Sequence, residues 1–359
     1  MDCTQFYILR IGLIKLAFFP SKLLVKQCFL LNFPCLYESP MLLKYVAREL
    51  IDASNVIDGL IQYSETVQNE AEFVDYHSLH PDFYVAIPAN STYFEFDPAN
   101  VFRVAPSLVL QSVYGHKNHA YNGFVDAFPG FSFVTKFTVR KEYQEIVDEI
   151  SVFNQETREL IDDLKKSYSS VAAFQTRNIP HLGHEKIMQL MLDHAEHLVL
   201  NPVIGPKISS DLKIEEYIDK LKPYFDRKYD GRISIRPVIA NMYYAGPREA
   251  IHHAKLRQRL GFTHFVVGRD HAGSEGCYAP QAAPEISAKY SNAYGIKIIS
   301  HNGAAFCQNC SEVVIAGSCG HAVSSLLEIS GSAFREKLRA GEVYEFADDD
   351  LQLILGRIE

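Results

Sequence analysis

The sequence predicts an α/β fold, with a parallel sheet covered by helices on both faces in its second half. Three observations carry that reading. From Ser170 onward, short apolar runs of buried-strand type alternate with stretches of helical spacing, the order a parallel sheet requires. Two of those runs pass directly into polar, glycine-containing loops, and in such sheets ligands bind beyond the carboxyl ends of the strands. Before Ser170 the texture differs, with short aromatic-rich runs separated by turn signals.

Taken in order, residues 1–40 read as an extension of uncertain role. Ile8 to Leu36 is apolar but broken by Arg10, Lys15, Lys22 and Lys26, so no run approaches the roughly 18 residues of a spanning helix. Asp2 and those lysines also suit a signal peptide poorly, and Met41 is the expected start of the folded chain. Residues 41–168 read as a mainly β domain, with strands at 83–87 and 131–139, turns at 88–91 and 129–130, a helix from about Lys141, and a solvated helical stretch over 154–166. Residues 169–300 alternate. Strands are expected at 171–174, 198–200, 233–239 (Ile233-Ser234-Ile235 and Pro237-Val238-Ile239 forming one strand), 264–267 and 296–299. Helices are expected at 184–197, where Ile187, Met191 and Ala195 keep helical spacing, at 212–221, and at 247–260, which has Pro247 in its first turn. Residues 301–359 form a small C-terminal part.

The chain has 359 residues, 47% of them hydrophobic and 22% charged, an ordinary globular balance. Lys plus Arg is 35 and Asp plus Glu is 43, a net charge of -8. That lacks the basic footprint of a nucleic-acid binder but allows a nucleotide in a local basic pocket. Of seven cysteines, Cys3, Cys28, Cys35 and Cys277 are scattered and three are clustered. This is not a secreted disulfide scaffold, so a reducing, cytoplasmic setting is expected.

Three polar constellations lie where a site belongs. The first runs Gln175-Thr176-Arg177-Asn178-Ile179-Pro180-His181-Leu182-Gly183-His184-Glu185, between a strand and a helix start. Amides at a helix start favour anions, Gly183 lets backbone come close, and Arg177 offers a planar fork for oxyanions. The alternative is a capped loop with incidental histidines. The second, Gly268-Arg269-Asp270-His271-Ala272-Gly273, follows the strand at 264–267; a surface Arg–Asp pair is its plainer reading. The third, Ser330 to Arg335, opens a helix. Alone it reads as an N-cap with a surface arginine.

Together these segments, with Tyr244-Ala245-Gly246-Pro247-Arg248-Glu249-Ala250 between them, resemble the ATP sulfurylase family within the nucleotidylyltransferase superfamily. The resemblance covers about 171–345. It implies a Rossmann-like catalytic domain over 169–300, preceded by a PUA-like domain, whose end the stretch from Phe137 to Val147 resembles. It also implies that Gln175, Arg177 and the backbone at Ala272 hold sulfate, while Thr176, Asn178, His181, His184 and the Gly268–His271 loop, with Ser330 and Arg335, hold ATP. Arg269 would counter phosphate charge. The implied reaction is in-line attack of a sulfate oxygen on the α-phosphorus, with pyrophosphate leaving alongside Mg²⁺. Positioning and charge neutralisation would then supply the catalysis, and replacing His181 or His184 is expected to cost turnover but little stability. The sequence departs from the family at Ile179-Pro180, where Pro usually follows the Asn directly, at Tyr243, where Arg is usual, and in the 207–211 loop. An adenylyltransferase for another oxyanion or small acid, or a weakly catalytic nucleotide-binding homologue, therefore remains open. No Gly-x4-Gly-Lys-Ser/Thr motif accompanies these segments.

Cys307-Gln308-Asn309-Cys310 and Cys319-Gly320-His321 give two close ligand pairs across a short loop. Four ligands with none to spare make a structural Zn²⁺ site; free buried thiols are the alternative. The expected partners are ATP and sulfate, with no nucleic acid and no clear membrane segment, in a homo-oligomer.

Overall fold

The computed structural model describes residues 46–61, 67–82, 85, 87–115, 132–176, 179–206, 217–273, 277–291 and 293–356, all within the compact unit Lys44–Glu359. The expectations for residues 1–40, Arg177, Asn178 and the 207–211 loop lie outside the described residues.

Six parallel strands form the central sheet. They are β6 (Val171–Thr176), β7 (His197–Ile204), β8 (Ile233–Ile235), β9 (Val238–Ile239), β10 (His264–Val267) and β11 (Lys297–Ser300). The order is β11-β10-β6-β7-β8, with β9 continuing beside β7. The chain therefore builds outward on one side of β6, then returns to add β10 and β11 on the other, a doubly wound arrangement whose switch point lies between β6 and β10. Every residue of β7 is buried, and in β6 all but Gln175. Continuous apolar runs of this kind suit strands covered on both faces.

The connecting helices are α5 (Leu182–Leu192), α6 (Ile218–Lys228), α7 (Pro247–Arg259) and α8 (Ala282–Tyr290), and α4 (Gln144–Ser167) leads into the sheet. The long charged stretch before Ser170 is a single helix. It buries Val147, Ile150, Phe153, Thr157 and Ile161, one face at three- and four-residue spacing, and ends on Lys165 and Lys166, which suit the negative end of the helix dipole. Relative to the sequence reading, α5 stops at Leu192 and β7 gains length at both ends.

The N-terminal part carries short strands as expected: β1 (Ile87–Pro88), β2 (Phe94–Glu95), β3 (Val101–Arg103), β4 (Ser132–Val134) and β5 (Thr138–Val139). Each has only two or three residues. They share the region with α1 (Arg48–Ile57), α2 (Glu70–Leu79) and α3 (Pro106–Val109), so the described residues there are not mainly β. The reason lies in α1, where every residue from Leu50 to Asn55 is buried, so the helix is part of the packed interior. Phe73, Val113 and Phe133 belong to one hydrophobic cluster with Val171, Val199 and Phe265, so apolar packing continues across residue 168.

The C-terminal part adds a three-stranded antiparallel sheet, β13-β12-β14, from β12 (Ala304–Cys307), β13 (Glu312–Ile315) and β14 (Leu326–Glu328), then α9 (Gly331–Ala340) and α10 (Asp349–Leu355). It meets the start of α5, where the Leu182 N–H donates to the Phe346 carbonyl at 2.9 Å. Among the described residues no helix is long and apolar enough to cross a membrane.

Candidate active site

The loops after β6, β10 and β11 and the start of α9 come together at the carboxyl edge of the sheet. His181 is the N-cap of α5. Its Nδ1 accepts from the N–H groups of Gly183 (3.1 Å) and His184 (3.4 Å), while His184 Nδ1 accepts from the His181 N–H at 3.3 Å. A backbone amide can only donate, so both Nδ1 atoms are unprotonated and both rings carry their proton on Nε2. The two rings stand 4.0 Å apart between centroids. Burial holds His181 down at about 4, with the nearby Arg335 charge acting in the same direction. Burial, then His181 and His301, keep His184 well below the ordinary imidazole range. At neutral pH this pair is a set of uncharged hydrogen-bond donors.

The third constellation joins them. A Cβ added to Gly331 would stand 3.7 Å from His181 Nε2 and 3.8 Å from an Arg335 guanidinium nitrogen, so the start of α9 faces the His181 ring. Ser330 caps α9, its hydroxyl accepting from the Ala333 N–H at 3.2 Å, and Arg335 reaches Ser332 at 3.1 Å. The N-cap reading of this motif therefore holds, and the cap sits at the site.

The loop after β10 is conformationally unusual. Asp270 and Ala272 adopt left-handed φ values of 55° and 51°, as Tyr244 does at 57° in the neighbouring loop. The two loops are tied by the Gly246 N–H, which donates to the Ala272 carbonyl at 3.0 Å. Non-glycine residues held this way persist only where their surroundings over-determine them. Glu249, in the first turn of α7, is one such constraint: its carboxylate is fully buried and accepts from the N–H groups of Tyr243 (2.9 Å) and Ala245 (2.8 Å). His253 links Glu249 (3.3 Å) to His271 (3.3 Å). His271 thus turns inward, against Phe265. Half-exposed Arg269 pairs with Asp270 at 3.4 Å and Glu328 at 2.9 Å.

At the other end of the site, Thr176 is buried and Gln175 Oε1 has no hydrogen-bond partner among the described residues, while its Nε2 lies 3.8 Å from Met242 Sδ. Tyr243 is buried and donates its hydroxyl to Asp52. Burial lifts that carboxyl to about 7. Arg248, within the segment that resembles the family, points away and donates to the carbonyls of His77, His80 and Asp82.

His253 and His301 escaped the sequence reading, and Glu249 entered it only as part of the Tyr244–Ala250 segment. His301 had a usable signal, since it directly follows β11, as the first two constellations follow β6 and β10.

Cys307, Cys310, Cys319 and His321 also converge, their ligand atoms all within 4.8 Å of one another. Cys307 ends β12, Cys310 lies in the turn before β13, and the other two lie in the loop before β14. Cys307 and Cys319 sulfurs are 3.7 Å apart, and His321 Nδ1 is 3.4 and 3.2 Å from Cys307 and Cys310. Two Zn–S bonds of about 2.3 Å at the tetrahedral angle place their sulfurs about 3.8 Å apart, so the donor set and spacing fit Zn²⁺. The Cys310 backbone N–H lowers the Cys307 thiol, while the hydrogen bond with Cys307 raises that of Cys310. Among the described residues this is the one such cluster.

The model of the ATP-sulfurylase family matches residues 148–345. A sulfate adenylyltransferase of Carboxydothermus hydrogenoformans is 34% identical over 255 residues, covering 69% of this chain and 63% of the relative. One of Pyrococcus abyssi is 38% identical, covering 52% of this chain and 49% of its own, and one of Hyperthermus butylicus is 33% identical, covering 68% and 67%. The chain thus spans about half to two-thirds of the length of these curated relatives. The family match takes in all three constellations, the Cys307, Cys310, Cys319 and His321 cluster and the six-stranded sheet: the chain belongs to the ATP-sulfurylase family.

Proposed function

We propose that this chain is a sulfate adenylyltransferase, converting ATP and sulfate into adenylyl sulfate and pyrophosphate. The observation that carries the reading is the convergence, at the switch point of the sheet, of His181 and His184 as neutral Nε2–H donors with the starts of α5 and α9 and the Gly268–Ala272 loop. A sulfate oxygen forms a bond to the α-phosphorus as the bond to the β-phosphate oxygen breaks in line, and pyrophosphate takes the electron pair. Mg²⁺ would travel with the ATP phosphates and neutralise their charge. The chain's own part is to position and to stabilise: His181 and His184 donate to phosphate oxygens, Arg269 and Arg335 offset charge, and the helix starts favour the anion.

Gln175, Arg177 and the Ala272 backbone are assigned to sulfate; Thr176, Asn178, Gly268, Asp270, His271 and Ser330 to ATP or to shaping its loops. Zn²⁺ held by Cys307, Cys310, Cys319 and His321 would act structurally, because four protein ligands leave no position for substrate. On this reading 169–300 is the Rossmann-like catalytic domain, 41–168 a PUA-like domain and 301–359 the zinc-bearing part. Four thiols of Cys277 and the cluster are free, which suits a reducing cytoplasm.

Tyr243 favours a second reading at the acceptor end. Where the family usually carries Arg, this tyrosine is spent on Asp52, so one cationic contact to the acceptor is absent and a different oxyanion becomes a candidate. Pyrophosphate release from ATP and Mg²⁺ across sulfate, selenate, molybdate and small carboxylates tests both. Release that responds to sulfate above the others supports the first reading, and release with none of them refutes both.

A further inference from the structure

We propose that His301 is a third nucleotide-binding imidazole, donating its Nε2–H to an oxygen of the bound nucleotide; this rests on the adenylyl-transfer reading. Three independent observations support it.

The first is placement. His301 follows β11, the strand beside β10, and its ring lies directly on Gly268: an added Cβ there would be 2.6 Å from His301 Cε1 and 2.7 Å from Nε2. Gly268 has no left-handed φ, so the ring, and not backbone conformation, is what a side chain at 268 would meet.

The second is the repeated way in which the ring is held. His301 Nδ1 accepts from the Gly303 N–H at 3.0 Å, as His181 Nδ1 accepts from the Gly183 N–H at 3.1 Å. Both are His-x-Gly segments at the carboxyl edge of the same sheet. In each, the amide fixes the Nε2–H tautomer, so the proton sits on Nε2, which at His301 lies beside the Gly268 loop.

The third is charge state and neighbourhood. His301 lies close enough to His184 to oppose its protonation, and burial keeps His301 itself uncharged at neutral pH. Three neutral donors can crowd one anion without the mutual repulsion that three cations would suffer.

Asparagine and glutamine separate this role from a merely structural one. His301→Asn keeps an acceptor near the Nδ1 position for the Gly303 N–H and loses the Nε2 donor; His301→Gln does the reverse. Affinity is read by calorimetry with ATP, AMP and inorganic pyrophosphate, alongside urea unfolding and the KM for sulfate. The expected result is roughly tenfold weaker ATP binding in His301→Asn, the scale of one hydrogen bond to a charged oxygen, with unfolding midpoint and sulfate KM unchanged. His301→Gln should bind ATP within about twofold of wild type. A parallel loss with pyrophosphate assigns the contact to the leaving phosphates, and one with AMP assigns it to the ribose or α-phosphate. Unchanged ATP affinity in His301→Asn, or a larger loss in His301→Gln than in His301→Asn, overturns the proposal. If wild-type protein binds none of the three, the adenylyl-transfer reading fails first and takes this inference with it.

Discussion

Replacing His181 separates two roles that the structure gives to one ring. Its Nδ1 caps α5 by accepting two backbone N–H bonds, and its Nε2 faces the start of α9. Alanine removes both. Loss of a helix N-cap costs about 1 kcal/mol, up to about 2, so His181→Ala should be measurably less stable. The expectation of little stability loss therefore changes. Asparagine, among the strongest N-cap residues, restores an acceptor near Nδ1 but offers no donor where Nε2 stood. His181→Asn should recover most of the lost stability while both variants lose turnover by about 10²- to 10³-fold, the scale seen when one donor to a developing anion is removed. Urea unfolding gives the first quantity, and pyrophosphate release with ATP and sulfate gives the second. Turnover in His181→Asn within a few-fold of wild type would refute the catalytic part. An Ala variant as stable as wild type would refute the capping part.

Two further outcomes follow from other parts of the molecule. Protein purified without chelator should contain about one Zn²⁺ per chain, and Cys307→Ser or chelation should expose 300–345 to protease before the rest. A zinc-free protein with that segment still protected would make the cysteines ordinary thiols. Asp52 contributes stability that is lost as pH rises from about 4 to about 7: its folded value of about 7 exceeds the unfolded one, so this group holds fewer protons in the unfolded chain across that window, while the buried histidines, held low, act in the opposite direction. Urea unfolding of wild type and Asp52→Asn in parallel cancels the shared histidine contribution: between pH 4 and pH 8 the Asn variant should gain on wild type by up to about 4 kcal/mol; equal pH dependence in the two proteins would mean that the carboxyl titrates normally.

The parts legible in the sequence were those with a strong local signal. Val171 to Phe174 and His264 to Val267 are continuous apolar runs bounded by polar loops, and they appear as adjacent central strands. Pro247 marked the start of α7 to the residue. His301 stands in a short polar stretch without periodicity, and its meaning depends on β11 pairing with β10, a long-range fact. His181 could be read as a candidate site residue but not as a cap, because caps are usually Ser, Thr, Asp or Asn. The Glu249–His253–His271 link joins α7 to the following strand's loop and has no signature in one dimension. In the C-terminal part the cysteine spacing was readable, while the three- and four-residue strands that frame it were too short to stand out.

The doubly wound strand order also governs when the candidate site can first exist during synthesis. Gln175 and His181 leave the ribosome early, but β10 and β11 dock on the far side of β6 only after both intervening crossovers are made, and Arg335 follows later still. A nascent chain ending anywhere before α9 presents an incomplete edge, with β6 lacking one neighbour or His181 lacking the helix start it faces. A ligand of that site therefore cannot stabilise early intermediates of this chain. The stabilisation that a bound ligand gives a native state arrives only when nearly all of the described residues are in place.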